Sequence, residues 1–77
     1  MKYVIIAKRY HLGLVTDAYR RCYISKQRAL EDYVRLMEDE HWTNVTAEVL
    51  RDGRYISIIE TEAFLYEGNQ KYLSVEK

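Results

Sequence analysis

Proline is absent from this chain, cysteine, phenylalanine and tryptophan occur once each, and glycine occurs three times. With Cys22 alone no internal disulfide can form, and a free thiol fits a reducing, cytoplasmic setting. Net charge is also missing. Twelve Lys plus Arg balance twelve Asp plus Glu, which excludes a globally basic nucleic-acid coat and a globally acidic mimic. The longest apolar run, Tyr3-Val4-Ile5-Ile6-Ala7, is too short to cross a bilayer. Lys8 and Arg9 follow it, where a signal peptide would carry small residues, so no membrane association is expected. The chain has no glycine-rich phosphate loop, no Gly-x-Ser-x-Gly elbow and no pairing of carboxylates that would frame a cleft. A non-catalytic protein without a cofactor is the expectation. Metal ligands are equally sparse: Glu38 and His41 have the i, i+3 spacing of half a di-metal site, but such a site needs a second helix bearing the same pair. A histidine near a helix C-terminus is more simply explained by the macrodipole, so no metal is expected.

What is present is enough for one folded domain spanning residues 1–77, with 48% apolar and 31% charged residues. A chain this short buries only about 60% of its unfolded surface, so its core is thin. One helix is plain. From Lys26 to Glu40, Leu30, Tyr33, Val34 and Met37 recur at i, i+3, i+4 and i+7, behind Ser25 as a natural N-cap. Its charges oppose the macrodipole, with Lys26 and Arg28 at the start and Glu38, Asp39 and Glu40 at the end. Either i, i+4 pairs such as Glu31–Arg35 offset this, or the charges serve a partner.

Elsewhere the chain reads as strands. Lys2 to Arg9 is apolar on both faces; Gly13 separates it from Asp17 to Ile24, which alternates Ala18, Cys22 and Ile24 against Tyr19, Arg21 and Tyr23. Arg20 breaks the apolar side of that alternation. Cys22, on that side, is expected to be a small packed residue. Asn44 to Arg51 alternates with Val45, Ala47 and Val49 together, and Asp52-Gly53 is a preferred pair for a two-residue hairpin. That loop would set Arg51 opposite Arg54, Val49 opposite Ile56 and Ala47 opposite Ile58, with a bulge at Ile59-Glu60. Ala63 to Glu67 and Gln70 to Val75 read as a last hairpin across Gly68-Asn69, with a short helix over Thr61 to Tyr66 as the competing reading. The expected order is therefore β-β-α-β-β with a fifth strand: an α+β, two-layer domain with one amphipathic helix on a sheet of four or five mainly antiparallel strands.

One helix roofs one face of a sheet. With Ala18, Cys22, Ile24, Val45, Ala47, Val49, Ile56 and Ile58 beneath it, the other face would carry Tyr19, Arg21, Tyr23, Leu50, Tyr55 and Ile59. Eight tyrosines in so short a chain suit an interface, since the ring is large and rigid and its hydroxyl tolerates water. The partner-binding residues expected on this reading are Tyr19, Arg20, Arg21, Tyr23, Leu50, Tyr55 and Ile59, the arginines steering an acidic protein. The competing reading lets Phe64, Leu65, Tyr72 and Leu73 fold back and cover that face. A second copy of the chain could use the same face, making a homodimeric structural subunit.

Charge is uneven along the chain: residues 1–35 hold eight bases against three acids, and residues 36–77 hold four bases against nine acids. Bases interleave with aromatics at Lys8, Arg9 and Tyr10, and Arg51 and Arg54 flank a turn, a combination that suits an anion or a single nucleic-acid strand. The acidic clusters repel the same polyanion, so nucleic acid ranks below a protein partner. Trp42 reads as an anchor at the edge of the core. No family motif stands in the chain. In general style it resembles the compact accessory proteins of bacteriophages and mobile elements, which implies a stoichiometric binder that inhibits or redirects a larger host protein.

Overall fold

A computed structural model describes residues 1–75. Strand β1, Lys2–His11, turns through Leu12 and Gly13, both at positive φ, into β2, Leu14–Tyr23. Helix α1 follows over Lys26–Glu38, with the Ser25 hydroxyl accepting from the Arg28 amide at 3.3 Å as an N-cap should. Then come β3, Asn44–Arg51, the two-residue β4, Tyr55–Ile56, and a long helix α2, Ile58–Val75. The sheet is antiparallel throughout, in the order β2-β1-β3-β4. The class is α+β, as the sequence implies, but with two helices and four strands.

In place of the expected last hairpin the structure has the competing helix, which extends well beyond Thr61 to Tyr66. Its start is capped by Ser57, whose hydroxyl accepts from the Glu60 amide at 3.3 Å and whose carbonyl accepts from the Thr61 amide at 2.9 Å. Ser57-x-x-Glu60 is a capping-box spacing that places an acid in the first turn, where the dipole favours it. The inward residues Thr61, Phe64, Leu65, Gly68 and Tyr72 then recur at helical intervals. Gly68 is not a turn residue. A Cβ at that position would sit 2.7 Å from Cδ2 of Tyr33, so the glycine lets α2 press its backbone onto α1. Beside it the Tyr33 hydroxyl donates to Oδ1 of Asn69 at 2.7 Å, and Phe64 meets Tyr33 edge-on and Tyr3 at a tilt, with ring centroids 6.0 and 5.6 Å away.

The Asp52-Gly53 turn also differs. Asp52 and Gly53 do take positive φ, and the Arg54 amide closes the turn on the Arg51 carbonyl. Arg54 is nonetheless an extra loop residue, so Arg51 pairs with Tyr55 and Leu50 with Ile56. This one-residue slip removes the expected Arg51–Arg54, Val49–Ile56 and Ala47–Ile58 pairs and turns Ile56 to the other face. Helix α2 begins where a bulge at Ile59-Glu60 was expected; the sheet's irregularity lies instead in β1–β2, between Arg9 and Tyr10.

Both helices lie on one side of the sheet. The core holds Ile5 and Ala7 of β1, Ala47 and Val49 of β3, Ala29, Leu30, Tyr33 and Leu36 of α1, and Phe64 of α2. Val34 and Met37, half of the expected helical stripe, pack at its margin, while Ala29 and Leu36 lie inside it. Substituting Gly68→Ala should destabilise the fold by about 1–3 kcal/mol, the usual cost of overpacking. Urea denaturation would measure it. An unchanged midpoint would mean that the α1–α2 contact yields freely.

Candidate functional site

Register decides which side chains share a face. Tyr3, Ile5, Ala7 and Arg9 of β1 lie opposite Tyr23, Arg21, Tyr19 and Asp17 of β2, and the first three lie opposite Val49, Ala47 and Val45 of β3. Since Ile5, Ala7, Ala47 and Val49 are core residues, Tyr19, Arg21 and Tyr23 face the helices. This overturns their expected place on an open face: the tyrosine-lined side is the one roofed by α1 and by the chain's own C-terminal helix. The expectation followed apolar side chains inward. Tyrosine and arginine instead pack their stems at the sheet margin and carry their polar ends to its rim.

There they build a polar network around Asp32, which is 6% exposed on α1. The Tyr19 hydroxyl donates to Oδ2 of Asp32 at 2.7 Å, Arg35 donates to Oδ1 through Nε at 3.1 Å and through a second guanidinium nitrogen, and Tyr23 hydrogen-bonds the same carboxylate. Desolvation is the largest influence on Asp32 and pushes its pKa up, but the donors together outweigh it and hold the carboxyl below its usual value. Burial first, then hydrogen bonding to Asp32 and Tyr19, pushes Tyr23 up to about 12. Arg21 lies 5.5 Å from the centre of the Tyr23 ring, and Arg21, Arg28 and Arg35 rim a shallow hollow with Tyr23, Glu31 and Asp32. Tyr19, Asp32 and Arg35 all have partners within the network, so it is a structural clasp between β2 and α1.

The opposite, outer face carries Lys2, Val4, Ile6, Lys8 and Tyr10 of β1, Ala18, Arg20 and Cys22 of β2, Thr46, Glu48 and Leu50 of β3, and Ile56 of β4. No described element covers it. Arg20 belongs to this face, which explains why it broke the apparently apolar alternation of β2. Cys22 is exposed there, contrary to its expected packed position. Toward β4 the face deepens into a groove of about 480 Å³, where Ile6, Tyr10, Ile56 and Ile58 meet Leu65 of α2, with Lys8, Glu48 and Glu62 among its polar lining. Ile56, Ile58 and Ile59 are 52%, 70% and 80% exposed.

Of the expected partner residues, the structure therefore places Leu50 and Arg20 on the open face and Ile59 on exposed α2 surface beside the groove. Tyr55 shares the helix-side register with Arg51 but stands 71% exposed. Among the expected anion contacts, Lys8 and Tyr10 line the groove, whereas Arg9 turns to the helix side and donates to the His41 carbonyl at 2.9 Å. Arg51 and Arg54 stay at the exposed β3–β4 turn, away from the groove. Trp42 is half-buried against the core, its ring packed on Tyr19 and His41. Among the described residues no three His, Cys, Asp or Glu side chains converge as a metal site would require, and no helix is long and apolar enough to cross a membrane. Sequence reasoning missed Ile6, Ile56, Ile58 and Leu65 as groove residues. The signal for Ile58 was the capping box that follows Ile56.

No family model matches the chain, and no similar protein is found among curated proteins or solved structures.

Replacing Asp32→Asn should cost about 1–3 kcal/mol at pH 7, because the arginine and the tyrosines lose a charged acceptor. A depressed carboxyl stabilises the fold above its ordinary value of 3.8 and ceases to do so as pH falls through the lower folded value. The stability difference between wild type and D32N should therefore shrink below about pH 4. Denaturation at several pH values checks this, and a difference independent of pH would show that the carboxylate charge is not what holds the clasp.

Proposed function

We propose that this chain is a small non-catalytic protein-binding module that docks its partner on the outer face of the sheet, at the groove of Ile6, Ile56, Ile58 and Leu65. The observation that carries the reading is the placement of both helices on one side of the sheet, which leaves Ile56 and Ile58 52% and 70% exposed at the β4 end of the other side. An exposed apolar patch rimmed by polar groups is the usual mark of an interaction site. The groove is concave, so a protruding aliphatic or aromatic anchor from a partner can fill it and be desolvated by the surrounding rim. Around it, Lys2, Lys8 and Arg20 against Glu48 and Glu62 give the face a small positive bias that favours an acidic partner. A binder of this kind acts by stoichiometric occupation, blocking or redirecting the larger protein it holds.

Single-stranded nucleic acid fits this face less well. Base stacking needs exposed rings, and Tyr10 is the one aromatic residue of the face, while Glu48 and Glu62 stand in the groove.

The test begins with affinity capture of the tagged chain from its native host and mass spectrometry of what co-elutes. Calorimetry then compares the captured protein's affinity for wild type, Ile56→Glu, Ile58→Glu and the hairpin-tip control Leu12→Glu. Both groove variants alter exposed residues, so the fold should persist. Their affinity should fall at least about tenfold, equivalent to about 1.4 kcal/mol, with the control unchanged. Equal affinity in all four proteins would remove the groove from the interface. Retention on heparin that declines steeply with salt would move the reading to nucleic acid.

A further inference from the structure

The two edges of the sheet are treated differently. At β3, the Val49 carbonyl accepts from the Ser57 amide and the Val49 amide donates to Oγ1 of Thr61, so the main-chain groups of Val49 point away from β1. Alternation then points those of Lys2, Val4, Ile6 and Lys8 toward β3, as the Thr43 amide donating to the Lys8 carbonyl agrees. The remaining β1 residues bond to Tyr19, Arg21 and Tyr23 of β2, which leaves the amides and carbonyls of Ala18, Arg20 and Cys22 pointing off the sheet. The Ala18 amide confirms the direction, since it donates to the carboxylate of Asp17 at 2.9 Å. All three residues are exposed, whereas Ala47 on the β3 edge is 3% exposed beneath α2. Strand β2 thus presents a ten-residue edge with no proline, no lysine and no described element over it. An edge in that condition is a template for another strand.

Charge selects the occupant. On the helix side of β2, Asp17, Tyr19 and Arg21 follow at alternate positions, so the pattern is its own complement when run backwards. In an antiparallel pairing centred on Tyr19, Asp17 of each copy, whose carboxylate also holds its own Ala18 amide and His41, lies opposite Arg21 of the other. Ala18 lies opposite Arg20, where the Arg20 amide and the carbonyls are open to pair and the Ala18 amide exchanges its local acceptor for the new strand. Centring on Arg20 or Arg21 would set like charges face to face. Helix α1 repeats the arrangement. Arg28, Glu31 and Arg35 border the hollow beside β2 in alternating sign, whereas Glu38 lines a second hollow with Lys71 and Ser74 of α2. The hydroxyl of Tyr19 on Asp32 places the middle of α1 over that centre. A two-fold axis there runs the second α1 antiparallel to the first, matching Glu31 with Arg35 in both directions.

We propose that two copies of this chain join β2 edge to β2 edge, antiparallel about Tyr19, into one continuous sheet of twice four strands with all helices on one side. The interface is isologous, as closed two-fold dimers require, and it leaves the outer-face groove of each copy free. It stands independently of the docking groove.

Light scattering over a concentration series should show a mass rising from 9.3 kDa toward twice that value. Arg21→Asp should leave the chain monomeric, and the swap Asp17→Arg with Arg21→Asp should restore the dimer. Hydrogen exchange in the wild-type chain needs no variant to fold: the Arg20 amide should slow as concentration rises, while the Leu12 amide in the hairpin turn should not. A mass that stays at 9.3 kDa at millimolar concentration overturns the proposal. So does a dimer whose Arg20 amide keeps exchanging freely, because that dimer would use another surface. Ile56→Glu should leave the dimer intact, so failure of the groove and failure of the edge are separate results.

Discussion

The close approach of α2 to α1 governs this fold. Tyr33 lies where any side chain at Gly68 would have to be, and its hydroxyl reaches on to Asn69, so the two helices meet ring against backbone. Phe64, one turn earlier, wedges between Tyr33 and Tyr3 and brings the sheet into the same contact. Burying that single phenylalanine contributes roughly 1.5–3 kcal/mol, a large share for a domain whose whole stability is of order 5–15. The geometry also has a topological effect. A C-terminal helix held against α1 lies on the side of the sheet that α1 already covers.

That placement divides the molecule into a finished side and an unfinished one. On the finished side even a buried carboxylate is provided for, since Asp32 receives Tyr19, Tyr23 and Arg35, and among the described residues no buried side-chain polar atom lacks a partner. The unfinished side has Val4 at 1% exposure near its middle and isoleucines in the open at its β4 end. The edges repeat the contrast: α2 roofs the edge of β3, whereas nothing described reaches the edge of β2. Both unsatisfied surfaces follow from where one helix was anchored.

How much of this was legible in the sequence depends on how local the deciding interaction is. Helix α1 was readable because its cap, its period and its length lie within one window, and the hairpin turns were readable from Gly13 and Asp52-Gly53. The face of β2 was not. Period-two reading sends Ala18, Cys22 and Ile24 inward, yet the inward set is Tyr19, Arg21 and Tyr23, because what fixes it is a carboxylate thirteen residues away from Tyr19. Arg20 was the local warning, a cation in the middle of the supposed buried side. Helix α2 was misread for a related reason. Tyrosine, leucine and valine favour strands, and Gly68-Asn69 resembles a hairpin turn, but Gly68 answers to Tyr33 of another helix. The competing reading of a short helix over Thr61 to Tyr66 caught its middle, and the capping box at Ser57 and Glu60 marks its start.

The charges of α1 bring these levels together. Lys26 at the positive end of the helix looked misplaced, yet its ammonium lies 2.9 Å from the carboxylate of Glu67 on α2, so it ties the two helices across the same seam that Gly68 closes. Exposed as both groups are, the pair contributes at most about 1 kcal/mol, comparable to what the dipole takes away. Arg35 has a local use in the Asp32 clasp. Arg28 and Glu31 are bound in no such contact, and together with Arg35 they alternate in sign along the flank beside the bare edge of β2. Glu31 and Arg35 therefore stand on that flank as neighbours of opposite sign, and such a pair is matched by its own reversal.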